Sequence, residues 1–275
     1  MITSPAFLLQ SDNDIMRTEK LAILNGLLQH FGAAKTQDMV THCSLRQIET
    51  FRQNGLASSR LKNNPIPVGS VEFCRAYAAL LGVSLPEQNP YPPCLFPHLK
   101  RKIYSDIYGL VPAGMFVKPK HQTKLFSGHI IGEFPSHENA PADIANTVVY
   151  VAKPVQWLSE YRYYVADGGL IGFSRYDERE DDTNIPDGEF VADVIARLAH
   201  SGIRSAAIDF GVLVNGETAL VEVNGPWAIG YYPSEAMSKF QYIDFLSRGW
   251  RDTISLNNKA DATLGTENFA PKLYF

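Results

Sequence analysis

Three oxygen-bearing side chains fall together in the segment Ala206-Ala-Ile-Asp-Phe-Gly-Val-Leu-Val214, Asn215-Gly216, Glu217-Thr-Ala-Leu-Val-Glu-Val-Asn224. Asn-Gly between alternating runs predicts a β-hairpin with a two-residue turn. That turn sets Val214 opposite Glu217 and therefore Asp209 opposite Glu222. Side chains alternate along a strand. One face then carries Ala206, Ile208, Phe210, Val212, Val214, Ala219, Val221 and Val223, and is the core face. The other gathers Asp209, Glu222 and Asn224. Carboxylates directly opposite each other repel. A hard divalent cation relieves that repulsion, and three oxygen ligands completed by phosphate oxygens and water suit Mg2+. The plainer reading is a solvated face that happens to carry acids. Against it, Asn224-Gly225-Pro226 ends the strand and bends the chain beside the acids.

A second hairpin is basic. Glu160-Tyr-Arg-Tyr-Tyr-Val-Ala166 and Leu170-Ile-Gly-Phe-Ser-Arg-Tyr176 flank Asp167-Gly168-Gly169. The turn is Asp167-Gly168 or Gly168-Gly169, and either choice puts Arg162 and Arg175 on one face. Paired guanidiniums call for an anion, phosphate or carboxylate, which they hold bidentately. The alternative is surface arginines paired with Glu160 or Asp177. Upstream, Met115-Phe-Val-Lys-Pro119 places Lys118 at a strand end, and a loop follows to Lys124.

Taken in order, a lysine strand, an arginine hairpin and an Asp plus Glu-x-Asn hairpin resemble the ATP-grasp superfamily. The nearest likeness is to its clade of small ligases named for a signature arginine and two lysines. Phe116-Val117-Lys118-Pro119 resembles the first nucleotide-binding strand, and Lys124-Leu-Phe-Ser-Gly128 the second lysine motif. Ser159-Glu-Tyr-Arg162 resembles the arginine motif. Ile208-Asp209 and Val221-Glu222-Val223-Asn224 resemble the magnesium-binding pair. Pro65-Ile-Pro-Val-Gly-Ser-Val-Glu-Phe73 resembles the N-terminal domain of the clade. The resemblance implies an ATP- and Mg2+-dependent ligase that joins a carboxylate to an amine through an acyl phosphate. One or two Mg2+ ions would be held by Asp209, Glu222 and Asn224. Lys118 and Lys124 would hold the α/β-phosphates, and Arg162 and Arg175 would face the transferring phosphoryl group or the acid. A hinge at residues 152–155, with Lys153, Pro154 and Val155, would meet the adenine; relatives often carry a glutamate there. Two rival readings stay open: a small-molecule kinase on the same scaffold, and a non-catalytic nucleotide-binding module.

These side chains need elements to hold them. Phe7-Leu8-Leu9 predicts a strand. Leu21, Leu24, Leu28 and Phe31 recur at helical spacing up to Gly32. Ser70 is an N-cap for a helix with Val71, Cys74, Tyr77 and Leu81 inward, closed by Gly82; its start could also present N–H groups to a carboxylate. Residues 86–97 hold five prolines and read as a linker. From Met115 the pattern is strand-rich, with one helix at 189–200 and a last one near 234–247. The expected architecture is α/β (α+β). Residues 1–100 form a small N-terminal α/β domain. Residues 101–250 form a two-lobed ATP-grasp domain with antiparallel sheets, and 251–275 a C-terminal tail.

The chain has 275 residues, 45% hydrophobic and 20% charged, with net charge −4. A nucleic-acid binder would show a basic excess, because phosphate neutralisation supplies most of its affinity. No run reaches the length of a membrane span, and the three cysteines form neither a framework nor a zinc motif. The expectation is a soluble, cytoplasmic protein acting on small-molecule or peptide substrates, without nucleic-acid or membrane partners. A homodimer is compatible with the sequence but not required by it.

Overall fold

The computed structural model describes residues 6–264, apart from 13, 55–60, 62–63, 122–124, 133–143 and 178–182, with side chains to residue 255. Two compact units emerge: Met1–Leu85 with Pro226–Tyr231 and Lys239–Phe275, and Pro86–Gly225 with Tyr232–Ser238. This division differs from the one drawn at residue 100. The proline-rich stretch travels with the second unit because it lines that unit's sheet: the Val223 N–H donates to the Pro90 carbonyl at 2.9 Å. The C-terminal segment differs from a tail, since α5 runs from Lys239 to Leu264.

In the first unit, β1 (Phe7–Gln10) pairs in parallel with β2 (Val40–Cys43) on one side and β3 (Ile66–Val68) on the other. Helices α1 (Arg17–Met39), α2 (Leu45–Gln53), α3 (Val71–Leu80) and α5 accompany the sheet. Gly32 interrupts α1 with φ of 76°, but helix resumes beyond it to Met39 instead of ending there as expected. Its buried face is different from the one read off the leucines. Ala22, Ile23, Gly26 and Leu27 are buried, whereas Leu21 and Leu28 are exposed. Gly26 explains the rotation, because a Cβ there would lie 2.7 Å from Ile243 of α5. The helices cross where no side chain intervenes. Ser70 caps α3 by accepting from the Phe73 N–H at 3.2 Å, and its own N–H donates to the Gln10 side chain at 2.7 Å. That helix start is an ordinary capped terminus with its donors in use.

The second unit holds two four-stranded antiparallel sheets. One has the order β4 (Ile103–Ile107), β7 (Val148–Ala152), β5 (Phe116–Pro119), β6 (His129–Ile130). The other has the order β11 (Thr218–Asn224), β10 (Ala206–Leu213), β8 (Trp157–Ala166), β9 (Gly169–Arg175). Helix α4 (Gly188–His200) is capped by Asp187 and lays Val191, Val194, Ile195 and Leu198 onto the second sheet. There they meet Tyr161, Tyr163, Ile208, Phe210 and Leu220. With that face buried, the alternate positions of the same strands are turned the other way.

Candidate metal and nucleotide site

Asp209 pairs with Glu222, as the hairpin reading expected, but by another route. The turn is longer than two residues. The Leu213 N–H donates to the Glu217 carbonyl at 2.9 Å, and Gly216 donates back to Leu213 at 2.8 Å with φ of 85°. Three residues therefore form the loop, with glycine in the left-handed position. That shifts the ladder by one, to Val212 opposite Thr218 and Phe210 opposite Leu220. A β-bulge at Val221 then shifts it back, so that Asp209 meets Glu222 and Ala207 meets Asn224. Below the bulge the expected core face is wrong. Leu220 is buried in place of Val221, and Val214 is 56% exposed.

Asp209 is 1% exposed, and the Asn224 amide links it to Glu222. Its Nδ2 donates to Asp209 Oδ2 at 3.2 Å and to Glu222 Oε1 at 3.0 Å. The two carboxylates thus converge on one donor. Across from them, Lys118 of β5 forms an ion pair with Glu222, bringing a cation from the first sheet onto the second. Burial pushes the Lys118 ammonium down to about 8, and Arg162 and Arg101 add to this against the pull of Asp209. Two acids face two cations, so the cluster balances its own charge. Among the described residues no group of three or more His, Cys, Asp and Glu side chains could hold a metal. The candidate set is two carboxylates and an amide. It fits a hard cation on the donor chemistry present: both acids already share one positively polarised atom, and turning the Asn224 amide presents a third oxygen in its place.

The arginines part company. Arg162 is 8% exposed and grips Asp209 with both arms of its fork, Nε to Oδ1 at 2.8 Å and Nη2 to Oδ2 at 2.7 Å. Burial opposes its charge, but the Asp209 carboxylate more than offsets this and holds Arg162 above its ordinary range. Its guanidinium lies 5.6 Å from the ring centre of Tyr176 and 5.3 Å from that of Tyr232. Arg175 is not on this face, which corrects the expectation. The turn is Asp167-Gly168, both with positive φ, and it alone would have aligned the two arginines. A bulge at Ile171 shifts the ladder, so Ser174 faces Arg162 and Arg175 faces Tyr161. Arg175 pairs with Asp177 at 2.8 Å.

Lys153 and Pro154 are exposed and Val155 is half-buried, in the link between β7 and β8 that joins the two sheets. Lys124 lies outside the described residues. Of the flanking histidines, His121 meets Glu87 at 3.0 Å and His129 meets the Tyr108 hydroxyl at 3.0 Å.

Several neighbours escaped the sequence reading as site residues. Tyr176 donates its hydroxyl to Glu160 at 2.8 Å, and burial raises the Glu160 carboxyl above its usual range. Arg101 lies over the Trp157 ring at 5.4 Å. Arg101 stands in Lys100-Arg101-Lys102, which reads as a solvated charge cluster and carries no local signal. Gly211 admits the Trp157 ring, since a Cβ would come 2.4 Å from it. Gly211→Ala should therefore destabilise the protein by about 1–3 kcal/mol, as overpacking does. An unchanged urea midpoint would show that the ring has room to move.

Residues 98–242 match the profile of an ATP-grasp domain, the second family of the clade named for a signature arginine and two lysines, and the chain belongs to that family. The fold class is the expected one. No curated protein matches the chain. Among solved structures, the chain is similar to the ATP-grasp ligase PsnB complexed with minimal precursor, Mg and ADP. That match has 12% identity, 91% of this chain and 97% of that one covered, and a TM-score of 0.42. Another PsnB complex is matched over only 46% of its length. D-alanine–D-alanine ligase from Bacillus anthracis complexed with ATP is similar at 9% identity, with coverages of 94% and 100% and a TM-score of 0.45. N5-carboxyaminoimidazole synthetase from Staphylococcus aureus is similar at 10% identity, with coverages of 92% and 79% and a TM-score of 0.48. At such identities and TM-scores these likenesses carry no statement about activity or substrate. Among the described residues, no helix is long and apolar enough to cross a membrane.

Proposed function

We propose that this chain is an ATP-dependent carbon–nitrogen ligase that joins a carboxylate to an amine and releases ADP and phosphate. The observation that carries the reading is the convergence of Asp209 and Glu222 on the Asn224 amide, with Lys118 reaching them from the opposite sheet. Acids gathered this way on a buried face repel unless cations answer them. The chain supplies Lys118 and Arg162 as those cations, and family membership supplies the reason for a replaceable one.

Asp209, Glu222 and Asn224 would hold Mg2+, one ion or two, which when bound with ATP neutralises the phosphates and lets the acid accept the γ-phosphoryl group. Lys118 would give up Glu222 and turn its ammonium to a phosphate oxygen. Lys124 would add the second cation. Arg162 would keep its fork on Asp209 and fix the orientation of that carboxylate, with its remaining edge toward the Tyr176 and Tyr232 rings. The link at 153–156 would set the angle between the sheets and offer main-chain groups to the base. Transfer of this kind depends on positioning and on charge already in place more than on covalent help. The acid and amine would be small molecules or peptides, and the protein would act in the cytoplasm.

The test is chemical. Hydroxylamine supplied with Mg-ATP and a panel of carboxylic acids should trap an acyl phosphate as its hydroxamate, with one ADP per hydroxamate. A phosphorylated product without free phosphate or hydroxamate would instead establish a kinase. Tight Mg-ATP binding with no turnover across the panel would establish a binding module.

A further inference from the structure

Glu222 faces Asp209 only because β11 carries one residue more than β10 requires at Val221. Were the pairing of Thr218 and Leu220 to run on unbroken, Asp209 would meet Val221. Glu222 would then turn to the apolar face beside Ile208, since a slip of one residue exchanges the two faces of a strand. A bulge interrupts the ladder and leaves main-chain groups to be satisfied. On β11 these lie at a sheet edge, with no further strand among the described residues to take them.

Arg101 takes them. Its Nη1 donates to the Leu220 carbonyl at 2.8 Å and its Nη2 to the Val221 carbonyl at 3.0 Å. Nη1 also reaches the Leu99 carbonyl at 3.0 Å, which ties the guanidinium to its own backbone. The guanidinium lies over the Trp157 ring, and Trp157 lies against Gly211, the β10 residue two places from Asp209. The planar fork of arginine matches two consecutive carbonyls, whereas a lysine ammonium is a point donor. Two residues further, the Pro90 carbonyl accepts from the Val223 N–H.

We infer that Arg101 is a positioning residue for the metal site: by clamping the Val221 bulge it decides which face of the sheet presents Glu222 and Asn224. The inference rests on the reading of Asp209, Glu222 and Asn224 as metal ligands. In this role Arg101 acts at the metal through Glu222 and Asn224, its own Nη atoms being held by main-chain carbonyls. It differs in this from Lys118, whose ammonium meets Glu222 directly.

Mn2+ read by electron paramagnetic resonance in the presence of ADP tests this on the full chain. Partners that orient a ligand typically account for about 10- to 100-fold in metal affinity. Arg101→Met should weaken Mn2+ binding by that range, and Arg101→Lys, which keeps one carbonyl bond, by about 10-fold. ADP affinity measured in EDTA should stay within about 2-fold, the margin of independent sites. In a Glu222→Gln background Arg101→Lys should cost clearly less than its roughly 10-fold in the wild type, because the charged group it positions is gone and only Asn224 is left to misplace. Should Arg101→Met fail to fold, the lysine variant carries the same cycle. Loss of metal-free ADP affinity equal to the metal loss would make Arg101 a nucleotide contact and overturn the inference. A full effect in the Glu222→Gln background would do the same. Wild-type Mn2+ binding that Arg101→Lys leaves intact sinks this inference alone. Absence of Mn2+ binding by the wild type sinks the metal reading and this inference with it.

Discussion

Glu222→Gln should leave the fold intact and weaken nucleotide-dependent Mn2+ binding by at least about 100-fold, with turnover falling in step. Glutamine keeps the shape and both hydrogen-bonding positions of the side chain, so the Asn224 contact at 3.0 Å survives in altered form. What goes is one of two negative charges. At an effective dielectric of about 20, a unit charge pair at 4 Å is worth roughly 4 kcal/mol, and a divalent ion doubles the attraction. Glu222 keeps some contact with water, with 19% of its side chain exposed, so screening takes back much of that sum. About 3 kcal/mol remains as a working figure, or roughly 100-fold. The substitution also strands Lys118, which then repels an incoming cation instead of yielding its place. Mn2+ affinity within a few-fold of wild type would remove Glu222 from the site.

Arg162→Met carries the largest expected effect on stability. Removing one member of a buried, fully hydrogen-bonded ion pair leaves the other charge without water or partner, at about 3–5 kcal/mol. Asp209, 1% exposed, would be that stranded charge. The Asn224 amide offers it a single bond at 3.2 Å and does not replace two charge-assisted ones. The double variant Arg162→Met, Asp209→Leu should recover most of the loss, because it exchanges the pair for apolar volume. Urea denaturation of the three proteins reads both statements. A single variant as stable as wild type would mean that solvent or Lys118 reaches Asp209 freely.

The sequence yields the hairpins and their chemistry more readily than their registers. Asn215-Gly216 and Asp167-Gly168 are local signals, and both turns form where those residues stand. The bulges at Val221 and Ile171 have no such signal. The first is held from a distance by Arg101, and periodicity inside β11 could not reveal it. In the acidic hairpin the longer turn and the bulge cancel, so Asp209 and Glu222 meet although the two-residue turn does not form. In the basic hairpin only one shift occurs, and Arg175 ends on the other face. The buried face of α1 was hidden for a related reason. Gly26 lets α5 approach on a side that leucine spacing does not mark. The first-lysine strand was legible, but its contact with Glu222 depends on how two sheets face each other, which no local pattern encodes.

The clamp on β11 has one more effect. The Leu220 and Val221 carbonyls and the Val223 N–H are already answered by Arg101 and Pro90. An extended peptide pairing along that stretch would have to displace those three bonds, which works against strand addition there. A chain brought to this margin would have to be gripped by its termini or its side chains instead of its backbone.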